Sequence, residues 1–173
     1  LIQFLDEGSG ACSMEVSSQG LDQHRVTGCT FEVGVFTNLT QDHLDYHQTM
    51  ERYYQAKRML FDPKYCDTRL AVINRDDSYG QSIIEFRDSK KLPSVSYGFD
   101  DDADYQITFW QSTMSNTQMV IRNRGNDQTI QTSLIGKYNV YNVAAAYASM
   151  ASIGIDQDAI LEGIRKLTYI PGR

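Results

Sequence analysis

The unbroken apolar run Leu70-Ala71-Val72-Ile73, followed at once by the polar turn Asn74-Arg75-Asp76-Asp77, constrains this chain more than any other feature. A short continuous run bounded by turn residues reads as a strand buried on both faces, the signature of a parallel sheet covered by helices. Its surroundings agree. Upstream, "TMERYYQAKRMLF" (49–61) has helical spacing, with Met50, Tyr53 or Tyr54, Lys57, Leu60 and Phe61 on one broad face, and Asp62-Pro63 stops it. Downstream, "DSYGQSIIEFRDS" reads as a helix with Asp77 or Ser78 as its N-cap. "ACSMEV" (11–16), "FEVGVF" (31–36) and Pro93 to Tyr97 read as further strands. The alternation predicts an α/β fold with a mostly parallel sheet flanked by helices. Functional loops then belong at the carboxyl ends of the strands, where "SSQG" and "TNLTQDHLDYH" are expected to fall.

The character changes after Asp100. "DYQITFWQ", "QMVIRNRG" and "QTIQTSLIG" alternate and are rich in Ile, Thr, Val and aromatics, with "GND" as a turn. They predict a small antiparallel β extension. Helices are expected to follow from Asn139, ending near Gly154, and from Asp156. The 173 residues suffice for one domain with a real core.

Lys plus Arg is 16 and Asp plus Glu is 22, a net charge of -6, which argues against a nucleic-acid binder that works by bulk charge. No apolar run approaches the ~18 residues of a membrane span, and "LIQFLDEGSG" lacks the features of a signal peptide. Cys12, Cys29 and Cys66 form no CxxC pair and read as free thiols in a reducing cytoplasm. The first residue is not Met and the chain stops at "IPGR", so both ends are expected to be cuts in a longer protein.

Several polar clusters carry chemistry. Glu15, His43 and Lys57 are far apart in sequence but can converge at one sheet edge. A carboxylate and an imidazole suit a divalent cation. A lysine there makes sense only if it holds a phosphate or if its amine is converted to an anion; an exposed helix lysine is the plainer reading. "VSSQGLDQHR" offers hydroxyls, amides and Arg25 for sugar and phosphate oxygens, or is an ordinary turn. "NRDD" can hold a nucleoside or cap a helix. "GKYNVYN" places Lys137, Tyr138, Asn139 and Asn142 at a helix start, where an aromatic and amides can read a base or Asn139 can be the cap. Neither GxxxxGK[ST] nor GxGxxG occurs.

Taken together, "SMEVSSQGLDQHRV", "FTNLTQDHLDYHQTMERYYQAKRMLF", "INRDD", "GKYNVYNVAAA" and "IPGR" resemble the Mur ligase family in order and spacing, closest to its MurE branch. "TNLxxDHLDYH" followed by "YxxAK" is the most specific part. The resemblance implies that residues 1–173 are most of the central ATPase domain. The N-terminal UDP-binding domain, the P-loop segment and the C-terminal amino-acid domain then lie outside the chain.

The family's reaction is an ATP-dependent amide ligation in peptidoglycan synthesis. It adds the third residue, L-lysine or meso-diaminopimelate, to UDP-N-acetylmuramoyl-L-alanyl-D-glutamate through an acyl phosphate. By resemblance Glu15 and His43 help bind Mg2+, and Lys57 matches the family's carbamylated lysine, which resolves a lysine beside a metal. Ser17, Gln23 and Arg25 match contacts to the UDP-muramyl dipeptide. Asn74, Tyr138, Asn142 and Arg173 match positions around ATP. Asp42 and Asp45 are expected to orient their loop. One departure is Gln19, where the pattern usually has His. The resemblance implies neither nucleic-acid partners nor membrane insertion. The alternatives are a related folylpolyglutamate- or cyanophycin-type ligase, and a non-catalytic fragment or pseudo-ligase that binds a nucleotide-sugar or a protein.

Overall fold

The computed structural model describes residue 8 and residues 10–168. Six strands form one sheet in the order β1-β2-β3-β4-β5-β6, namely β1 Thr30–Phe36, β2 Asp67–Asn74, β3 Ser94–Gly98, β4 Tyr105–Ser112, β5 Thr117–Asn123 and β6 Asn126–Thr132. The first four run parallel, and β4, β5 and β6 pair antiparallel. The helices are α1 Ser18–Asp22, α2 Leu44–His47, α3 Met50–Arg58, α4 Ser78–Ser89, α5 Lys137–Ser152 and α6 Gln157–Lys166.

The apolar run Leu70–Ile73 lies in β2, and both of its faces are covered. Ala71 and Ile73 pack in one core with Phe36, Tyr53, Phe61 and Ile83, on the α3 and α4 side. Val72 packs in the other with Tyr97, Val140 and Ala144, on the α5 side. A strand with helices on both faces has no reason to alternate, which is why the run is continuous.

The β1–β2 crossover uses α2, α3 and a 3-10 turn at Met59–Phe61, with Thr49 Oγ1 accepting from Arg52 N at 3.2 Å as the α3 cap. Asp77 caps α4 by accepting from Tyr79 N and Gly80 N. Gly80 is required where α4 meets β2, because a Cβ there would lie 2.0 Å from the Asn74 carbonyl oxygen.

The β3–β4 junction departs from the usual parallel pair. A parallel connection ordinarily needs a crossover of about a dozen residues or more. Here a short loop suffices, because β4 pairs with β3 only at Tyr97↔Tyr105 and Gly98↔Gln106 before running on past its end. The extension β4–β6 therefore grows from the carboxyl edge, and α5 returns from it across the parallel strands.

Three local expectations need correction. "ACSMEV" is not a strand: Ala11–Glu15 are exposed and pair with nothing among the described residues. "SSQG" is not a turn but the start of α1, because Ser17 Oγ accepts from Gly20 N at 3.0 Å and caps a helix. Asn139 is not a helix cap, since α5 starts two residues earlier behind Gly136, whose φ of 93° suits glycine. Its side chain donates instead to the Ile135 carbonyl at 2.9 Å.

Candidate functional site

The loop after β1 and the two helices behind it bring α1, α2 and α3 to one corner. His43 has φ 53° and Gln48 has φ 65°, so left-handed backbone brackets the four-residue α2. Such positions are uncommon for residues other than glycine and concentrate at sites held by their surroundings. Asp42 steadies the first, its Oδ1 accepting from His43 N at 2.7 Å and its Oδ2 lying 3.6 Å from the ring.

His47 holds the corner together. It is buried, its ring stacks on Tyr53 at 5.1 Å, and Ser18 Oγ lies 2.9 Å from its Nε2. Tyr46 adds a second tie to α1, donating to Asp22 at 2.9 Å and accepting from Gln23 Nε2 at 3.3 Å. Burial lowers the His47 pKa below its ordinary 6.5; Asp22 and Asp45 pull it back up, while His43 and Lys57 push it further down.

Between the two pKa values the unfolded chain holds a proton that the folded chain does not, so stability falls as pH drops below about 6.5. We expect the thermal midpoint to decline from pH 7.5 to 5.5. His47→Gln should be less stable at pH 7.5 but show a smaller decline. Equal declines in the two proteins would exclude His47 as the titrating group.

His43 is the exposed histidine of the pair, its ring edge against Tyr53 at 5.8 Å. Lys57 is half-buried on α3. Burial lowers its pKa, and the nearby Glu15 carboxylate raises it in opposition. Glu15 is thus within electrostatic reach of Lys57, and Lys57 and His43 are both within reach of His47. No salt bridge to Lys57 forms among the described residues.

No three His, Cys, Asp or Glu side chains converge to cage a metal among the described residues. Glu15 and His43 offer one carboxylate and one imidazole beside Lys57, and the Asp42 carboxylate lies 3.6 Å from the His43 ring. That set suits a hard ion that keeps several waters and takes phosphate oxygens from a substrate. A cavity of about 430 Å3 lies close by between α1, α2 and α3, but none of Glu15, His43 and Lys57 lines it.

The other candidates divide between two places. Ser17, Gln23 and Arg25 are exposed on and after α1, the first spent on its cap and the second bonded to Tyr46. Asn74 is buried at the end of β2, where Nδ2 donates to the Thr37 carbonyl at 2.7 Å and Oδ1 accepts from Asp76 N at 3.0 Å. It therefore fastens the loop after β2 to the loop after β1. Tyr138 is 82% exposed on the first turn of α5, and Asn142 is half-buried one turn on. Arg173 lies outside the described residues.

Sequence reasoning missed Asp76. Its carboxylate accepts from Phe99 N at 2.8 Å, Asp100 N at 2.9 Å and the Tyr141 hydroxyl at 2.7 Å, joining the β2–α4 loop, the end of β3 and α5. Gly98 makes room for it, since a Cβ there would lie 2.6 Å from Asp76 Oδ1. The tyrosine's pKa is pushed well up, by burial first and then by the bond to Asp76 and its charge.

Residues 1–150 match the Mur ligase middle domain. The chain belongs to the Mur ligase middle-domain family. It is 41% identical over all of its 173 residues to the UDP-N-acetylmuramoyl-L-alanyl-D-glutamate--2,6-diaminopimelate ligase of Trichormus variabilis, of which that covers 34%. Diaminopimelate ligase 1 of Clostridium acetobutylicum is 39% identical over 94% of this chain and 32% of its own length. A solved UDP-N-acetylmuramoyl-L-alanyl-D-glutamate--2,6-diaminopimelate ligase superposes with a TM-score of 0.88 at 31% identity, covering 99% of this chain and 35% of that one. The chain spans about a third of the length of the curated relatives it matches.

In this Mur ligase middle domain the matched region runs from the N-terminal segment into the last turn of α5. It takes in both the Glu15–His43–Lys57 corner and the Asn74–Asp76–Tyr141 edge. No described helix is long and apolar enough to cross a membrane.

Proposed function

We propose that this Mur ligase middle domain serves an ATP-dependent ligase that joins an amino acid to UDP-N-acetylmuramoyl-L-alanyl-D-glutamate in peptidoglycan synthesis. The observation that carries the proposal is identity near 40%, over the whole chain, to relatives named for addition of 2,6-diaminopimelate. Meso-diaminopimelate is accordingly the added residue we favour over L-lysine.

The reaction brings a carboxylate against a triphosphate. The substrate carboxylate attacks the γ-phosphate of ATP, giving an acyl phosphate and ADP. The incoming amine then displaces phosphate and leaves an amide. Both partners of the first step are anions, so the site must supply positive charge and fixed geometry.

Glu15 and His43 would hold Mg2+, with Lys57 as a carbamate completing the protein's share of donors. When bound, the ion neutralises part of the charge on the phosphates as they meet the carboxylate. Conversion of Lys57 needs its neutral amine, and burial of Lys57 favours that form. The Arg25 guanidinium, which bonds to nothing else among the described residues, would take an anionic group of the UDP-muramyl dipeptide beside Ser17 and Gln23. Asn74 would act by positioning the two loops it fastens, with Tyr138, Asn142 and Arg173 around the nucleotide. The whole ligase is expected to work in the cytoplasm.

The test is phosphate release with UDP-muramyl dipeptide, ATP and Mg2+, comparing meso-diaminopimelate with L-lysine. We expect turnover by the intact ligase with the first and none by residues 1–173 alone, which contain no GxxxxGK[ST]. Turnover with neither amino acid in the intact protein would exclude the ligase reading. Turnover by residues 1–173 alone would exclude the need for an outside phosphate loop.

A further inference from the structure

Cys29 and Cys66 play no part in the chemistry above, yet the fold brings them together. Each stands one residue ahead of the Thr30↔Asp67 pair, the first rung between parallel strands β1 and β2. Adjacent strands lie about 4.8 Å apart. The α-carbons of a disulfide lie about 4.4–6.8 Å apart, a range that includes the strand spacing at the rung beside the two cysteines. Both cysteines pack in the same core, with Leu21, Val26, Phe31 and Tyr65, although 36 residues separate them along the chain. The Thr30 hydroxyl donates to Asp67 Oδ2 at 3.2 Å, fixing the two strand starts side by side.

We propose that Cys29 and Cys66 form a dithiol that closes to an intramolecular disulfide on exchange with a low-molecular-weight disulfide. Both are free thiols in the structure, Cys29 half-buried and Cys66 buried. That difference sets the order of events. The Cys29 thiolate attacks one sulfur of the external disulfide and releases one thiolate. The Cys66 thiolate then attacks the Cys29 sulfur and releases the second. Two protein thiols are oxidised, one external disulfide is reduced, and the two protons the protein thiols give up end on the two released thiolates. Burial raises the Cys66 pKa, and the neighbouring Cys29 raises it further. Cys66 is therefore the slower thiol, which suits the resolving step.

The bond would close a loop that contains α2 and α3, and with them His43, His47 and Lys57. Cross-linking a loop of this length restricts the unfolded chain more than the folded one. Oxidation should therefore raise thermal stability, by several degrees for a domain of this size. Cys12, exposed near the N-terminus and without a neighbouring cysteine, serves as an internal control.

The experiment incubates the protein with oxidised glutathione under native conditions, then blocks free thiols, digests it and maps the peptides. We expect a Cys29-peptide linked to a Cys66-peptide, both thiols lost together, and a thermal midpoint raised by several degrees. Cys12→Ser should leave all three results unchanged. Cys29→Ser should abolish both the link and the shift while Cys66 stays reduced. Recovery of Cys29 as a stable glutathione adduct, with Cys66 still a thiol, overturns the proposal. So does a link through Cys12, or failure of both thiols to react in the folded protein.

Discussion

Replacing Lys57 by Ala is expected to lower the turnover of the intact ligase by about 10²- to 10³-fold, the usual cost of removing one charge-stabilising group from such a site. The fold should survive, because Lys57 is half-buried and salt-bridged to nothing among the described residues. The α3 side chains that carry the core, Tyr53, Tyr54 and Ala56, would be untouched.

So large an effect has an electrostatic origin. An ammonium beside a metal site costs energy, whereas a carbamate at the same place is an anion with two acceptor oxygens. Carbamylation adds carbon dioxide to the neutral amine and releases a proton. Burial lowers the Lys57 pKa, so at a given pH more of the reactive form is present. Acetate should restore part of the activity of Lys57→Ala by placing a carboxylate in the vacated space. Lys57→Arg should not respond, because its guanidinium fills that space and stays charged. Near-normal turnover of Lys57→Ala in bicarbonate-free buffer would show that Lys57 is an ordinary helix lysine.

Legibility of this molecule in its sequence followed the physics of each segment. β2 could be read because a parallel strand covered on both faces has one simple signature, a continuous apolar run. The N-cap of α4 could be read because Asp77 sits just ahead of periodic apolar residues, and the helical segments read from Thr49 and Asp156 begin at the residues that cap α3 and α6. The start of α1 could not. A five-residue helix has too little periodicity to announce itself, and "SSQG" carries turn residues.

At the site, Lys57 and Glu15 were legible only as members of a motif. Helical spacing puts Lys57 on the face of Met50 and Leu60, but nothing local in "YQAKR" says that it lies within electrostatic reach of a carboxylate 42 residues away. His47 was harder still, since its role depends on a ring stacked under it from α3 and a serine from α1. Asp76 looked like part of a helix cap, whereas only its neighbour Asp77 caps. Its three bonds reach Phe99, Asp100 and Tyr141, and no local pattern encodes partners that distant.

Arg87→Ala is expected to be strongly destabilising, costing about 4 kcal/mol, within the range seen when a buried charged group held by several hydrogen bonds is truncated; both Nη atoms are bonded, whereas the buried Nε has no partner among the described residues. Arg87 falls one helical turn after Ile83 on the inner face of α4, where periodicity calls for an apolar residue. It is 1% exposed and forms no salt bridge among the described residues. Backbone carbonyls take that place. Nη1 donates to Phe61 and Thr68, both at 3.2 Å, and Nη2 donates to Thr68 at 3.2 Å and Pro93 at 2.6 Å. One side chain thus ties the end of the 3-10 turn, the start of β2 and the loop before β3 to α4. Burial pulls its pKa down, but a guanidinium starts so high that it stays charged at neutral pH.

Truncation leaves a cavity and removes the guanidinium from these carbonyls; Pro93 O keeps its bond from Ala71 N at 3.2 Å, and any carbonyl left buried without a partner costs about 1–3 kcal/mol. Arg87→Lys and Arg87→Met separate the two contributions. Lysine keeps the charge but cannot fork to three segments. Methionine keeps much of the volume and removes the buried charge, yet gives the Phe61 and Thr68 carbonyls no donor in its place. If carbonyl satisfaction dominates, urea unfolding should rank the proteins wild type, then lysine, then methionine, then alanine. A methionine variant as stable as wild type would mean that filling space is all the site requires. A loss below about 1 kcal/mol for alanine would mean that water replaces the guanidinium at little cost.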